Sequence, residues 1–256
     1  AGRTYPGVSS ISNTGLRVKS EAALQFWKKR LHDLEVPHDE ISEMFGRKTL
    51  YFEDFEGSRM RLVVDDGNGI PFGEPWIKDE ISGENAIVGL GPVTLTLKNP
   101  EPTKKVLEQV LGFTLIGSYR SAITDAPDIQ VYSVGKGGPA GEVHIETRED
   151  LPRERPGRGS VHHVAFRIPH MDDYPKWEEL LRAKGYTTSG LVDRHYFKAI
   201  YFREPNGILF ELSTDEPGFD TDEKLETLGE TLALPPFLEQ RRTEIEAKLR
   251  PLSLNK

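Results

Sequence analysis

Two stretches of the chain repeat one another at long range. "YFEDFEGSRMRLV" (51–63) and "YFREPNGILFELS" (201–213) set Tyr51 on Tyr201, Phe52 on Phe202, Gly57 on Gly207 and Leu62 on Leu212, all at an offset of 150. The same offset, without a gap, lays Ile11 on Val161, Leu16 on Phe166, Arg17 on Arg167 and Val18 on Ile168. It also sets Trp27 on Trp177 and Leu31 on Leu181. The shared residues are mostly apolar or Gly, the types that shape a scaffold. The chain must therefore build one supersecondary unit at least twice.

Each copy opens with an alternating, β-rich strand (8–18; 160–168) and continues with an amphipathic helix (21–34; 172–184). Leu24, Trp27 and Leu31 recur at helical spacing. Gly185 stands where a helix C-cap is expected. Three strands follow, the last two joined by tight turns at "EDFEG" and "EPNG", and Asn206-Gly207 is a strong hairpin signal. A third copy of the pattern lies between them. It has a strand at 91–99, a helix at 102–112 and the strands "FTLIGSYR", "IQVYSVG" and "GEVHIETRE". The expected fold class is α+β, with repeated βαβββ modules forming cupped mixed sheets. The expected divisions are 1–70, 71–150 (linker plus second module), 151–214 and a tail, 215–256. Residues 65–89 and 148–159 read as linkers. A βαβββ sheet covers one face with its own helix and needs a partner on the other. Three units leave one unpaired, so a fourth, N-terminal unit is expected, or a homodimer that supplies it.

Composition removes several function classes. A net charge of −8 argues against a nucleic-acid partner, whose electrostatic footprint is basic. No apolar run approaches the roughly 20 residues that span a bilayer. With no cysteine there is no disulfide, thiolate metal site or cysteine nucleophile. The opening "AGRTYPG" has no signal-peptide pattern, and a cytoplasmic location is expected.

Chemistry-bearing residues are unevenly shared between the copies. His162 and His163 stand where the first unit has Ser12 and Asn13, and Glu211 stands where it has Arg61. Neighbours on a strand face opposite ways, so the two histidines are expected to diverge. A lone strand histidine is more often a core or surface residue, and a mid-strand glutamate can face solvent. Their joint appearance at the two ends of one unit favours metal. A carboxylate between Phe210 and Leu212 is costly to bury unless paired or metal-bound. One His and one Glu make two-thirds of the 2-His-1-carboxylate triad of non-haem Fe(II) oxygenases.

Repeated βαβββ units with "HHVAF" opening one and "YFREPNGILFELSTD" closing it resemble the vicinal oxygen chelate superfamily. Together with "DRHYFKAIYFREPNG" and the tail "LGETLALPPFLEQRR", the whole chain resembles its hydroquinone-type ring-cleaving dioxygenases. That resemblance implies Fe(II), or Mn(II) in its place, and an aromatic diol and dioxygen as substrates. It implies His163 and Glu211 as metal ligands. It implies His162 as an acid/base or substrate-anchoring group, Tyr201 as a hydrogen-bond donor to substrate or dioxygen, and Arg194 as a supporting group. Full-length members have four units, the first carrying the third metal ligand. Here Asn13 and the Pro92–Val93 region hold the corresponding positions, and neither replaces a histidine. About 60–70 residues, one unit and its connector, are therefore expected to be absent.

Of the other histidines, His32, His38 and His170 are expected at the surface and His144 as a satisfied strand residue; His195, next to Arg194, is within reach of the pocket but is more readily read as lying off it. Two other functions fit the same scaffold: a glyoxalase- or thiol-transferase-like metalloenzyme, and a metal-free protein that binds small aromatics. "GKGGPAGE" joins two strands and does not precede a helix, which argues against a phosphate loop. "RERPGRGS" is expected to be a solvated loop, "LEQRRTEIEAKL" a short charged helix, and Trp27 and Trp177 helix-to-sheet core residues.

Overall fold

The computed structural model describes residues 2–75, 77 and 80–250. In the first unit, β1 (Ser10–Val18) leads into α1 (Glu21–Asp33), and β2 (Ser42–Met44), β3 (Arg47–Glu53) and β4 (Arg59–Val64) follow. The Ser20 hydroxyl caps α1 by accepting from the Ala23 N–H at 3.1 Å. Leu24 and Leu31, two turns apart, are buried on its sheet-facing side. The second unit is β5 (Leu90–Leu97), α2 (Glu101–Gln109), β6 (Thr114–Tyr119), β7 (Ile129–Ser133) and β8 (Glu142–Thr147). The third is β9 (His163–Ile168), α3 (Tyr174–Ala183), β10 (Val192–Asp193), β11 (Lys198–Arg203) and β12 (Leu209–Thr214). Gly185 adopts φ +84° just past α3, the left-handed turn that a side chain would resist.

Each unit closes the same way: its last strand returns parallel to its first. β4 pairs with β1, β8 with β5 and β12 with β9. The offset of 150 holds in register, since Gly15 lies opposite Arg61 and Ala165 opposite Glu211. Units one and two join through their first strands, β1 antiparallel to β5, into an eight-stranded sheet ordered β2-β3-β4-β1-β5-β8-β7-β6. The two strands approach so closely that a Cβ at Gly15 would lie 2.5 Å from the Pro92 carbonyl oxygen. The third unit forms its own sheet, β10-β11-β12-β9, and the outer edge of β9 has no strand partner among the described residues.

The third unit is not loosely attached. Its Phe202, Phe210 and Leu212 share one apolar core with Leu95, Leu107 and Tyr132 of the second unit. The Thr103 hydroxyl donates to buried Glu204, and the Asn206 amide donates to the Asn99 carbonyl at 3.0 Å. The first unit has a separate core under α1.

Both supposed linkers carry structure. Arg17, 4% exposed, is paired with Asp65 at 2.8 Å and donates to the Ile70, Pro71 and Leu90 carbonyls, stapling the first connector to β1. "RERPGRGS" is not merely solvated. It bridges the N-terminal segment at Arg3–Arg158, Tyr5–Arg155 and Val8–Arg153, and the Arg155 guanidinium lies 4.0 Å from the centre of the Tyr5 ring. Trp27 is half-buried, with its indole N–H donating to the Asn85 carbonyl at 2.7 Å. The tail helix is shorter than its charge pattern suggests: a 3₁₀ turn (Pro236–Arg241) runs into a brief α4 (Arg242–Glu246). No described helix is long and apolar enough to cross a membrane.

The eight-stranded sheet buries a polar network. His144 is fully buried, with Nε2 donating to Glu142 at 3.1 Å and Nδ1 accepting from the Tyr119 hydroxyl at 3.1 Å. Arg47 holds the Glu142 carboxylate through two bonds of 2.9 and 2.8 Å. Burial alone would raise the Glu142 pKa, but the bonds from His144 and Arg47 more than offset it and hold it low. Burial drives the His144 pKa from 6.5 down to about 4, against the pull of Glu142. Between these values the unfolded chain binds a proton that the folded chain refuses, so stability falls as pH drops from 6.5 to about 4. The loss amounts to about 3 kcal/mol at the acid end of that window. Urea midpoints measured across it should decline for the native chain and flatten for His144→Gln. An equal decline in the variant would assign the titration to another group.

Candidate metal centre

Glu211 opposes Ala165 across the β12–β9 pair, and Leu209 opposes His163. Residues two apart on a strand share a face, so Glu211 and His163 are diagonal neighbours on the same side of the sheet. Tyr201 on β11 lies directly opposite Glu211 and joins them. Phe210 and Leu212 alternate away, into the shared core. The apolar flanks that make "LFELS" look hostile to a carboxylate therefore belong to the other face.

The side chains meet. His163 Nε2 lies 2.6 Å from Glu211 Oε2, and the Tyr201 hydroxyl donates to Glu211 Oε1 at 2.9 Å. Arg194 Nε donates to the Tyr201 oxygen at 3.3 Å, and its guanidinium carbon stands 5.1 Å from the Tyr201 ring centre. The Glu211 side chain is 3% exposed and that of His163 34%. The glutamate is held from within the sheet while the imidazole forms the open side. Burial raises the Tyr201 pKa; the bond from Arg194 opposes the shift and Glu211 adds to it. The phenol therefore remains a donor at neutral pH.

His162 behaves differently from the strand expectation. β9 begins at His163, so His162 lies outside the pleat and alternation does not bind it. Its Nδ1 lies 2.9 Å from His163 Nδ1, with the rings perpendicular at 88°. His162 thus backs onto the Nδ1 side of His163, whose Nε2 faces Glu211, and a hydrogen bond between the two rings needs one Nδ1 protonated and the other not.

An imidazole nitrogen and a carboxylate oxygen converging on one point are donor types that a divalent first-row ion accepts. Among the described residues, no group of three or more His, Cys, Asp or Glu side chains is placed to hold a metal. The pair fits as two members of a larger donor set. The first unit offers no second copy of it. Asn13 and Arg61 occupy the corresponding positions, and Arg61, 1% exposed, donates to Thr94 at 3.0 Å and to the Pro92 carbonyl at 3.1 Å. A guanidinium already fills the place where a cation would go.

The remaining histidines are spoken for or remote. His38 Nδ1 bonds the Val36 carbonyl at 2.8 Å, and His32 and His170 are exposed. His195 does not touch His163 or Glu211; its Nε2 lies 2.9 Å from Asp222 Oδ2. Asp222 escaped the sequence reading because nothing separates it from the other acidic residues of the tail. A cavity of about 370 Å³ opens beside it, lined by His195, Asp222, Leu232, Leu234, Pro236 and Arg242 among others. That cavity is not walled by His163, Glu211, Tyr201 or Arg194.

Residues 89–212 match the family described as the Glyoxalase/Bleomycin resistance protein/Dioxygenase superfamily. MhqA of Bacillus subtilis (strain 168), a protein named for ring-cleaving dioxygenase activity, is 49% identical over 251 residues, covering 97% of this chain and 78% of its own. The chlorohydroquinone/hydroquinone 1,2-dioxygenase of Sphingobium indicum is 32% identical over 229 residues, 87% of this chain and 67% of its own. A crystal structure of a Bacillus subtilis protein described as a dioxygenase is similar with a TM-score of 0.87 at 33% identity, over 100% of this chain and 78% of that one. Glyoxalase I from Zea mays, at 12% identity and a TM-score of 0.56 over 83% of this chain and 70% of its own, shares the fold. This chain therefore belongs to the glyoxalase/bleomycin resistance protein/dioxygenase superfamily, in its ring-cleaving, hydroquinone-dioxygenase branch, and is a dioxygenase.

Proposed function

We propose that the chain opens hydroquinone- or catechol-type rings with dioxygen, using Fe(II) held by His163 and Glu211. The observation that carries the reading is the 2.6 Å convergence of His163 Nε2 and Glu211 Oε2 on one face of the third unit. The metal, Fe(II) or Mn(II) in its place, supplies the charge that favours the phenolate form of the diol and the redox capacity that dioxygen chemistry requires.

The surrounding residues prepare the site. Tyr201 ties up Glu211 Oε1 and leaves Oε2 facing His163. A ring whose Nε2 offers its lone pair to a metal carries its proton on Nδ1, so His163 then donates to His162 Nδ1 and its orientation is fixed. His162, exposed at the rim and accepting from His163 at Nδ1, carries its own proton on Nε2 and is placed to anchor an oxygen of an incoming diol with that N–H. Arg194 presents a cationic donor to negative charge developing on substrate oxygen, and the Tyr201 O–H, which holds Glu211 Oε1 in this arrangement, joins it when the phenol turns from the carboxylate to substrate. A facial triad needs a third protein donor, and two are assembled among the described residues. We place the third on whatever completes the free edge of β9: a further βαβββ unit or a second copy, joined as β1 joins β5.

Two sets of variants test the assignment. His163→Ala and Glu211→Ala should each cut bound Fe(II), measured by metal analysis after anaerobic loading, by at least about 10-fold, because each removes a direct ligand. Full metal retention in both variants would overturn it. Tyr201→Phe should keep its metal and slow oxygen uptake on hydroquinone by about 10- to 100-fold. Turnover of a hemithioacetal in place of hydroquinone would reassign the chain to the glyoxalase class.

A further inference from the structure

The loop between β10 and β11 carries Arg194 toward Tyr201 and His195 the opposite way, toward the tail. His195 has φ +70°, a left-handed conformation that a residue with a side chain adopts only when its surroundings hold it. The holding groups come from the tail. Asp222 Oδ2 lies 2.9 Å from His195 Nε2 and accepts from the Tyr196 hydroxyl at 3.3 Å. Phe219 stacks on Tyr196, with ring centres 5.3 Å apart and planes 22° apart. The Gly218 N–H donates to the Tyr196 carbonyl at 2.9 Å. Inside the loop, Asp193 accepts from the His195 N–H at 2.8 Å, and the Arg194 N–H donates to the Phe197 carbonyl at 2.9 Å.

We infer that Asp222 is a positioning residue of the oxygenase site: the tail, through Asp222, locks the left-handed turn at His195 and thereby holds Arg194 against Tyr201. The contacts run without a break from the tail carboxylate to Glu211, through His195, Arg194 and Tyr201. Asp222 bonds His195 and Tyr196, and not Tyr201, Glu211 or His163. It acts by keeping the turn from relaxing to an ordinary backbone conformation, which would swing the guanidinium off the phenol. A plain surface ion pair would have no such consequence, since exposed pairs contribute little and locally.

The kinetic side of this inference rests on the dioxygenase reading; the structural side does not. Hydrogen exchange of the full chain should show faster exchange of the Arg194 and His195 amides in Asp222→Ala, and near-native protection in Asp222→Asn, which keeps an acceptor oxygen. Asp220→Ala, a neighbouring tail carboxylate, should change neither amide. In the Fe(II)-loaded protein, Asp222→Ala should lower kcat/KM for hydroquinone by about 10-fold with metal content unchanged, as the loss of a supporting partner does. The same substitution made on Arg194→Ala should cost nothing further, because its effect passes through Arg194. Native exchange at 194–195 in Asp222→Ala, or additive losses in the double variant, would overturn the inference. Should the native protein consume no oxygen with hydroquinone, the functional reading fails, and the exchange result still decides the clamp.

Discussion

Parallel return of the last strand to the first governs this molecule. It recurs in all three units, and in the first and third it repeats in the same register, Gly15 to Arg61 and Ala165 to Glu211. Without that closure, residues nearly fifty positions apart in the chain would share no face. With it, a residue on the opening strand and one on the closing strand become diagonal neighbours about one side-chain length apart. The strand on the other side of the closing one, β11, adds a third position directly opposite it, and Tyr201 fills it.

The same geometry carries opposite electrostatics in two units. In the third, Glu211 and His163 leave a buried oxygen and a half-open imidazole facing each other. In the first, Arg61 brings a buried positive charge to the equivalent point and spends its donors on Thr94 and the Pro92 carbonyl. Its neighbours match that choice: His144 is kept neutral by burial, and Arg47 neutralises Glu142. The joined units have thus turned their shared polar face into a closed, largely paired network, with Asn13 Oδ1 and Arg61 Nε left without a partner, while the third keeps its own face open. The frame is shared, and different residues at two positions give it a guanidinium in one unit and an imidazole–carboxylate pair in the other.

Connections between units do more than span distance. Arg17 draws the first connector onto β1 with four polar contacts, and the second zips along the N-terminal segment. The tail does similar work for the third unit, reaching back to grip the turn that aims Arg194. Each of these segments is rich in Gly, Pro or charge and reads as loop. The stretches that make these contacts lie outside the helices and named strands, yet each fixes a charged side chain whose position matters elsewhere.

Much of this was visible in one dimension. Apolar and glycine identities at a constant offset exposed the units, because residues that pack a βαβββ core must recur where the core recurs. Glu211 and His163 stood out because they replaced Arg61 and Asn13 inside an otherwise shared frame. Alternation misjudged His162, since it could not show that the strand expected from 160 starts only at His163 and frees that ring to turn. Asp222 and the strap at 153–158 left no periodic trace. Their partners lie tens to more than a hundred residues away, and only folding brings them into contact. The residue pattern by itself determined the repeated scaffold and the unit that carries a histidine and a glutamate at its opening and closing strands, because periodicity and substitution are local properties of the chain. Tertiary structure alone decided that the first two units join through β1 and β5, that the third stands apart with an open edge, and which distant carboxylate holds the loop beside the site. Those outcomes depend on which surfaces meet in space, and sequence order does not encode that.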